Sequence, residues 1–392
     1  MHRCALCRLA WDANFLDALA WLFTTRVRTS VAGAVACKGV LAAPACYRAD
    51  MKRNRRPAPV AETNEFKLIA ALQAILPQEP NWVKVGRGQD DAAVLDLGGR
   101  DWLVWTCDAL VEGVHFRRPW LSPRQLGRRA ASVNLSDVAS MGAQPLAALA
   151  SLHLPRSYPE ADYRQLMRGL GERLAEFGAS LVGGNLSRSE HLSIDISLIG
   201  KARGKLVARR KGAKAGDRLL VSGFPGEAAA GLHALQRRAP AQGRPAKLLR
   251  RWISPTPRVA AGQLLLRGGV SSMIDISDGL LSDLEHLCKA SHVGVEVDVT
   301  SLPSSPALRK YASQQHADPH QWILSGGEDY ELLCTAPPRQ AAALRTRLQR
   351  VLGVPLTDIG RIVSSRSGRW LHDGDKRQRL TATGHRHFGK AR

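Results

Sequence analysis

Met273-Ile274-Asp275-Ile276-Ser277-Asp278-Gly279-Leu280-Leu281 is the stretch on which the architecture turns. Its apolar run reaches an acid, a polar turn follows, and apolar residues at helical spacing open directly behind the turn. It reads as a strand over 273–276 and a helix from Asp278. One carboxylate closes the strand and a second stands where the helix begins.

Working outward, a strand over 219–222 and helices between 226 and 266 precede this unit, and strand and helix alternate from it to the C-terminus. The first half has the same grammar. Ala70, Leu72 and Ile75 give an apolar helical stripe behind Glu65, and two short β-type runs, 92–97 and 102–106, end beside carboxylates. Ser122 and Pro123 are an N-cap and a first helical residue, opening a helix to about Met141. A strand over 147–154 precedes a helix whose Leu166, Leu170, Leu174 and Phe177 share a face and which Gly178 stops. Gly183-Gly184 reads as a turn. Leu192, Ile194, Ile196 and Leu198 alternate with polar residues, as in a half-buried strand, and the basic stretch 201–216 reads as a connection. Such alternation over 392 residues argues for α/β (α+β) layers around two cores. We expect domains at 61–203 and 204–392, behind an N-terminal extension at 1–60.

The formal charge of +22 favours acidic surfaces or phosphorylated ligands by field alone and names no partner. Few stacking aromatics are interleaved with the basic runs, so no nucleic-acid partner is expected. Seven cysteines without paired spacing argue against a disulfide scaffold and for a reducing, cytoplasmic setting. Cys4 and Cys7 form a C-x-x-C with no second pair at zinc spacing. Asp17, Arg26, Arg28 and Lys38 interrupt every long apolar run, so no membrane partner is expected either. Organised periodicity begins near Glu65, and Met51 reads as the start, with the extension disordered or not translated.

The chemistry lies in acids at strand ends: Asp90-Asp91, Asp108, Asp137, Asp275, Asp278 and Glu328-Asp329. Singly, each has a bland reading, and Asp278 before Gly279 could simply cap a helix. Jointly, carboxylates against apolar runs must be paired or metal-bound, and a hard divalent cation such as magnesium meets that need. The glycine turns Gly183-Gly184 and Ser325-Gly326-Gly327 offer backbone N–H groups to phosphate. No G-x-x-x-x-G-K-[ST], kinase catalytic loop or strand-borne G-x-G-x-x-G is present, so an ATP site here is built differently.

From about residue 64 onward the chain resembles the thiamine-monophosphate kinases. Glu65-Phe66, GQDDAAVLDL from Gly88, DALVEGVHF from Asp108, VNLSDVASMGAQP from Val133, GGNLSR from Gly183, GAKAGD from Gly212, DISDGLLSDL from Asp275 and SGGEDYEL from Ser325 carry the resemblance. It implies the two-domain fold shared with aminoimidazole ribonucleotide synthetase, with an N-terminal domain that forms a β-barrel in a homodimer and a C-terminal α/β domain. It implies transfer of the γ-phosphoryl group of ATP to thiamine monophosphate, with several magnesium ions held by Asp91, Asp108, Asp137 and Asp275, a further one by Asp278, and Thr106 nearby. Gly184, Arg210 and Ser277 would contact ATP; His115 and Glu328 would contact the thiamine side. The small residues Ala130, Ala131, Ser132, Ala139 and Ser140 around Asp137 would let that helix approach phosphates closely, and plain helix packing is the competing reading.

Four positions depart from the family pattern. Asn185 stands where an aspartate usually binds magnesium and ATP, Cys107 where a threonine usually precedes Asp108, and Gln89 where a glycine precedes the acid pair. His385 replaces an aromatic residue that stacks on the substrate. The alternative left open is a non-catalytic member of the superfamily, or one with a different acceptor.

Overall fold

The computed structural model describes residues 65–237 and 245–381. The expectations for 1–60, Met51, Cys4, Cys7 and His385 lie outside the described residues.

Helix α1 (Glu65–Ile75) is followed by strands β1 (Val83–Val85), β2 (Ala93–Leu95) and β3 (Trp102–Val111). Helix α2 (Pro123–Ser140) starts where expected, with Ser122 and Gln125 closing a reciprocal capping box. Then come β4 (Gln144–Pro155), α3 (Glu160–Glu176), β5 (Ser180–Ser189) and β6 (Ser193–Ala202). These strands form an open sheet in the order β1-β2-β3-β6-β4-β5, antiparallel except for the β4–β5 pair, which α3 connects. The Gly183-Gly184 turn is not a turn: both glycines lie within β5. A Cβ on Gly184 would stand 1.9 Å from the Ala150 carbonyl oxygen, so the glycine permits close approach of neighbouring strands rather than chain reversal.

The second half comprises β7 (Arg218–Ser222), α4 (Glu227–Gln236), α5 (Ala246–Ile253), α6 (Val259–Arg267), β8 (Ser272–Asp275), α7 (Leu280–Ser291) and β9 (Val293–Asp298). It continues with α8 (Pro306–Gln314), α9 (His320–Ser325), β10 (Leu332–Ala336), α10 (Pro338–Leu352), β11 (Leu356–Ser364), β12 (Arg369–Asp373) and β13 (Lys376–Arg379). Seven strands pair in the order β13-β12-β9-β11-β7-β10-β8, with only β9–β12 parallel. Two apolar layers, one holding Val221 and Ile274 and the other Leu220 and Met273, follow the strand alternation onto opposite faces of this sheet.

Helix α2 joins the halves. The first core includes Trp252 and Tyr330 from the second half, and a Cβ on Gly262 of α6 would lie 1.9 Å from the carbonyl oxygen of Ala139. Arg173 of α3 donates to Ser132 Oγ at 2.8 Å. At Ser132 and Ala139 the small residues of α2 serve helix packing, the competing reading for that run.

A buried ionic cluster fixes α5 and α6 to the second sheet. Glu331, fully buried, accepts from Arg258 Nε at 2.7 Å and Ser222 Oγ at 2.5 Å, and also pairs with Arg251. Burial pushes the Glu331 carboxyl up, but Arg258 and Arg251 outweigh it and hold it below the usual range. Because its folded pKa is depressed, its contribution is complete above the ordinary glutamate value of about 4.3 and is lost as pH falls through the folded value. Glu331→Gln is expected to cost roughly 2–3 kcal/mol at pH 7, less than a fully enclosed pair because Arg251 retains Glu227. Denaturant midpoints across pH 3 to 7 check this: the parent should lose stability more steeply than the variant on acidification.

Candidate functional site

Alternation along β3 sends Thr106 and Asp108 to the side covered by α2, and leaves Cys107 exposed on the other. The Thr106 hydroxyl donates to Asp137 Oδ2, and the Asp108 backbone N–H donates to Asn134 Oδ1 at 3.0 Å. One helical position before Asp137, Ser136 Oγ donates to Asp275 Oδ2 at 2.5 Å. Helix α2 therefore touches the carboxylate strands of both halves. Arg210, from the connection before β7, donates through Nε to Asp91 Oδ1 at 2.8 Å, and its backbone N–H reaches Asp90 Oδ1 at 2.9 Å.

These acids strain against one another. Burial, with the charges of Asp108, Asp275 and Asp91, pushes the Asp137 carboxyl well above its ordinary value. Burial and the Asp91 charge push Asp275 up to about 8 and Asp90 up to about 6.

The turn after β8 is held from inside the protein. Asp283 Oδ2 accepts the backbone N–H groups of Ser277, Asp278 and Gly279 at 3.1, 3.2 and 3.1 Å. Facing it, Glu328 N–H donates to the Ser277 carbonyl at 2.7 Å and Tyr330 N–H to that of Ile276 at 2.9 Å. Glu328 and Tyr330 both have left-handed backbone, φ 65° and 53°, a conformation that non-glycine residues keep only when their surroundings enforce it. The Glu328 carboxylate pairs with the buried guanidinium of Arg129 through Oε1 and accepts from Trp252 Nε1 at 2.6 Å through Oε2. Arg129 also lies over the Trp252 ring, 4.5 Å from its centroid. His115 Nδ1 accepts the backbone N–H of Val111 at 3.0 Å, which places the ring proton of a neutral imidazole on Nε2.

A cavity of about 870 Å³, within the range of a small-ligand site, gathers these groups. Asp91, Thr106, Asp108, Asp137, Arg210, Asp275, Ser277 and Asp278 line it, and so do His115 and Glu328. Cys107 also borders it, but with its side chain on the far side of β3 it offers only its backbone there; the thiol is not placed as a ligand. Gly184 and Asn185 are not among the lining residues. In register, Asn185 lies in the row Ala109, Asp195, Ser151, Asn185, three strands and about 14 Å from β3 and on the face away from α2. Sequence reasoning missed Arg129, Trp252, Trp120, Asp283 and His286. The last lines the cavity, and burial with the Arg210 charge holds its ring down to about 4. Only Asp283 left a local signal, an acid four residues after Gly279.

The carboxylates suit a hard cation. Asp91 Oδ2 is buried without a hydrogen-bond partner, and the like charges of Asp108, Asp275 and Asp91 converge on the buried Asp137. Among the described residues no three His, Cys, Asp or Glu side chains form a preassembled cage. Magnesium, which keeps water and substrate phosphates in its shell, needs none.

Residues 89–202 match the family model of the AIR synthase related protein, N-terminal domain, and residues 214–372 that of the C-terminal domain. Fold and cleft together define a two-domain, mixed α/β protein of the AIR synthase-related class. The thiamine-monophosphate kinase of Escherichia coli (strain K12) is 39% identical over 314 residues, 79% of this chain and 94% of that protein. The structure of AaThiL complexed with AMPPCP and TMP superposes with a TM-score of 0.72 at 31% identity, covering 83% of this chain and 97% of that one. Thiamine-monophosphate kinase from Stenotrophomonas maltophilia K279a gives 0.65 at 34% identity, covering 82% and 98%. The chain belongs to the thiamine-monophosphate kinase family.

Proposed function

We propose that this chain phosphorylates thiamine monophosphate with ATP to give thiamine diphosphate, a phosphotransferase reaction of thiamine biosynthesis. The observation that carries the reading is one cavity shared by the buried carboxylates with Arg210 and by Glu328 with His115. A relative of known structure holds an ATP analogue and TMP, and the curated relatives carry that activity in their names.

The acceptor is a phosphate monoester already ionised at pH 7, so no general base is required and the chain's task is positioning and charge balance. A lone pair of an acceptor phosphate oxygen forms the new bond to the γ-phosphorus in line as the bond to the β–γ bridging oxygen breaks, and ADP leaves with that electron pair. Arg210 would offer its guanidinium to the transferring phosphates, and His115 Nε2–H would donate to the acceptor phosphate. Ser277, on the turn clamped by Asp283, would meet ATP. Glu328, oriented by Arg129 and Trp252, would face the thiamine portion. Asp91, Asp108, Asp137, Asp275 and Asp278, with the Thr106 hydroxyl and the Cys107 carbonyl, would hold magnesium, which supplies neutralisation of the phosphate charge when bound.

The domain division at 203/204 and a homodimer belong to the same reading. The side of the first sheet not covered by α2 exposes Trp105 and Leu149, and neighbouring β5 exposes Val182. A second copy laid on that face would bury this apolar surface and turn two open sheets into a barrel. Asn185 and Gly184 would then act at the interface rather than within one chain's cleft. Among the described residues no helix is long and apolar enough to cross a membrane; a cytoplasmic setting belongs to the proposal.

The test is formation of thiamine diphosphate from ATP, magnesium and thiamine monophosphate by the chain started at Met51. Product is expected at a rate linear in enzyme. A folded protein that binds ATP yet forms none would sink the reading and leave a different acceptor or a non-catalytic role.

A further inference from the structure

The departure at His385 removes a stacking aromatic that the family resemblance assigns to the substrate, and the described cleft contains another aromatic surface that no part of that resemblance assigns. Trp120 lines the cavity. Its ring meets the Trp252 ring edge-on, with centroids 5.7 Å apart and planes at 74°. Trp252 is fully buried, stacked by Arg129, and fixed by its hydrogen bond to Glu328. The orientation of Trp120 is therefore referred to the same support that orients Glu328.

Trp120 is also already engaged with a cation. The Arg117 guanidinium lies 5.4 Å from its ring centroid, and Arg117, exposed and at the cavity wall, makes no ion pair among the described residues that would hold it there. An exposed arginine without an ion pair is a replaceable occupant. A planar cationic heterocycle makes the same electrostatic contact with the ring face and adds stacking area.

We propose that Trp120 is a specificity-determining residue, the aromatic platform for the cationic ring of the substrate, with Arg117 holding its place until the substrate arrives. This rests on the thiamine monophosphate reading and deepens it. Glu328 already accepts from two protein donors, so the carboxylate alone is a weakened counter-charge. The quadrupole of Trp120 supplies the attraction for a permanent, non-titrating positive charge that a neutral ring would not receive.

The experiment compares Trp120→Ala, Trp120→Phe and the parent by calorimetric binding of thiamine monophosphate and by steady-state kinetics for both substrates. Trp120→Ala should raise the Kd and KM for thiamine monophosphate about tenfold, with the KM for ATP within twofold of the parent. Trp120→Phe, which keeps a smaller aromatic face, should recover most of that loss. Thiamine monophosphate binding unchanged in Trp120→Ala overturns the proposal, as does an equal loss for both substrates or a Phe variant as impaired as the Ala variant. If the parent itself forms no thiamine diphosphate, the function reading fails first, and that result is distinct from an active parent with an indifferent Trp120. Thermal melting of each variant identifies any loss through unfolding, and Trp120→Phe tests the ring even if Trp120→Ala does not fold.

Discussion

Asp137→Asn lowers phosphoryl transfer by roughly 10³-fold while raising the stability of the magnesium-free protein by roughly 1–2 kcal/mol. The two effects share one cause. Asp137 is buried beside Asp108, Asp275 and Asp91, and its carboxyl is driven upward by burial and by those charges. An amide has nearly the same shape, still accepts the Thr106 hydroxyl through its oxygen, and carries no charge to repel the other three. Removing the charge relieves a buried conflict that the bare chain does not resolve. The same charge is what the proposed cation needs, so the variant should gain less stability than the parent when magnesium is added. Calorimetric melting with and without magnesium, beside a rate assay, reads all three consequences. A variant no more stable than the parent without metal would mean that the hydrogen bond from Thr106 had already resolved the conflict; undiminished transfer would remove Asp137 from the site.

Much of the site was legible because its residues sit at the ends of elements that announce themselves locally. The run 273–276 gives a strand, the strand ends at Asp275, and a turn followed by helical spacing fixes where Ser277 and Asp278 emerge. Ser122 and Pro123 likewise mark the start of α2, and the helix period then carries Asp137 to its far end. The Glu328 end of the cleft was legible only as isolated names. Arg129 and Glu328 meet across 199 positions, and Trp252 and Glu328 across 76, so neither contact leaves a period in the sequence. The reading of Gly183-Gly184 failed for a related reason: local grammar treats paired glycines as a turn, whereas here the need for glycine comes from the Ala150 carbonyl of the adjacent strand. Asn185 raises the same problem at a larger scale. Its register places it on the face away from α2, where it is exposed among the described residues, so no contact within them explains its place in the motif.

Arg210 carries the other large effect: Arg210→Ala and Arg210→Lys should both reduce kcat/KM for ATP, by roughly 10²–10³-fold and with little rescue by lysine. The guanidinium donates from two nitrogens, Nε and Nη2, to a single oxygen of Asp91, and the other oxygen of that carboxylate is buried without a partner. Its backbone is pinned as well. Ser291 Oγ donates to the Arg210 carbonyl at 2.8 Å and accepts the N–H groups of Gly212 and Ala213 at 3.0 and 3.1 Å. An arginine held this firmly at the base leaves a planar fork as the part that can address phosphate. Lysine retains the charge and loses the fork, so it separates the two contributions. If Arg210 acts on the transferring phosphoryl group, kcat should fall with kcat/KM; if it only gathers ATP, KM should rise and kcat hold. Near-parental rates in Arg210→Ala would make it a structural partner of Asp91 and nothing more. Because Asp91 would then be left with an unneutralised buried charge, that outcome should be accompanied by a fall in stability in the absence of magnesium, the opposite sign to the change expected for Asp137→Asn.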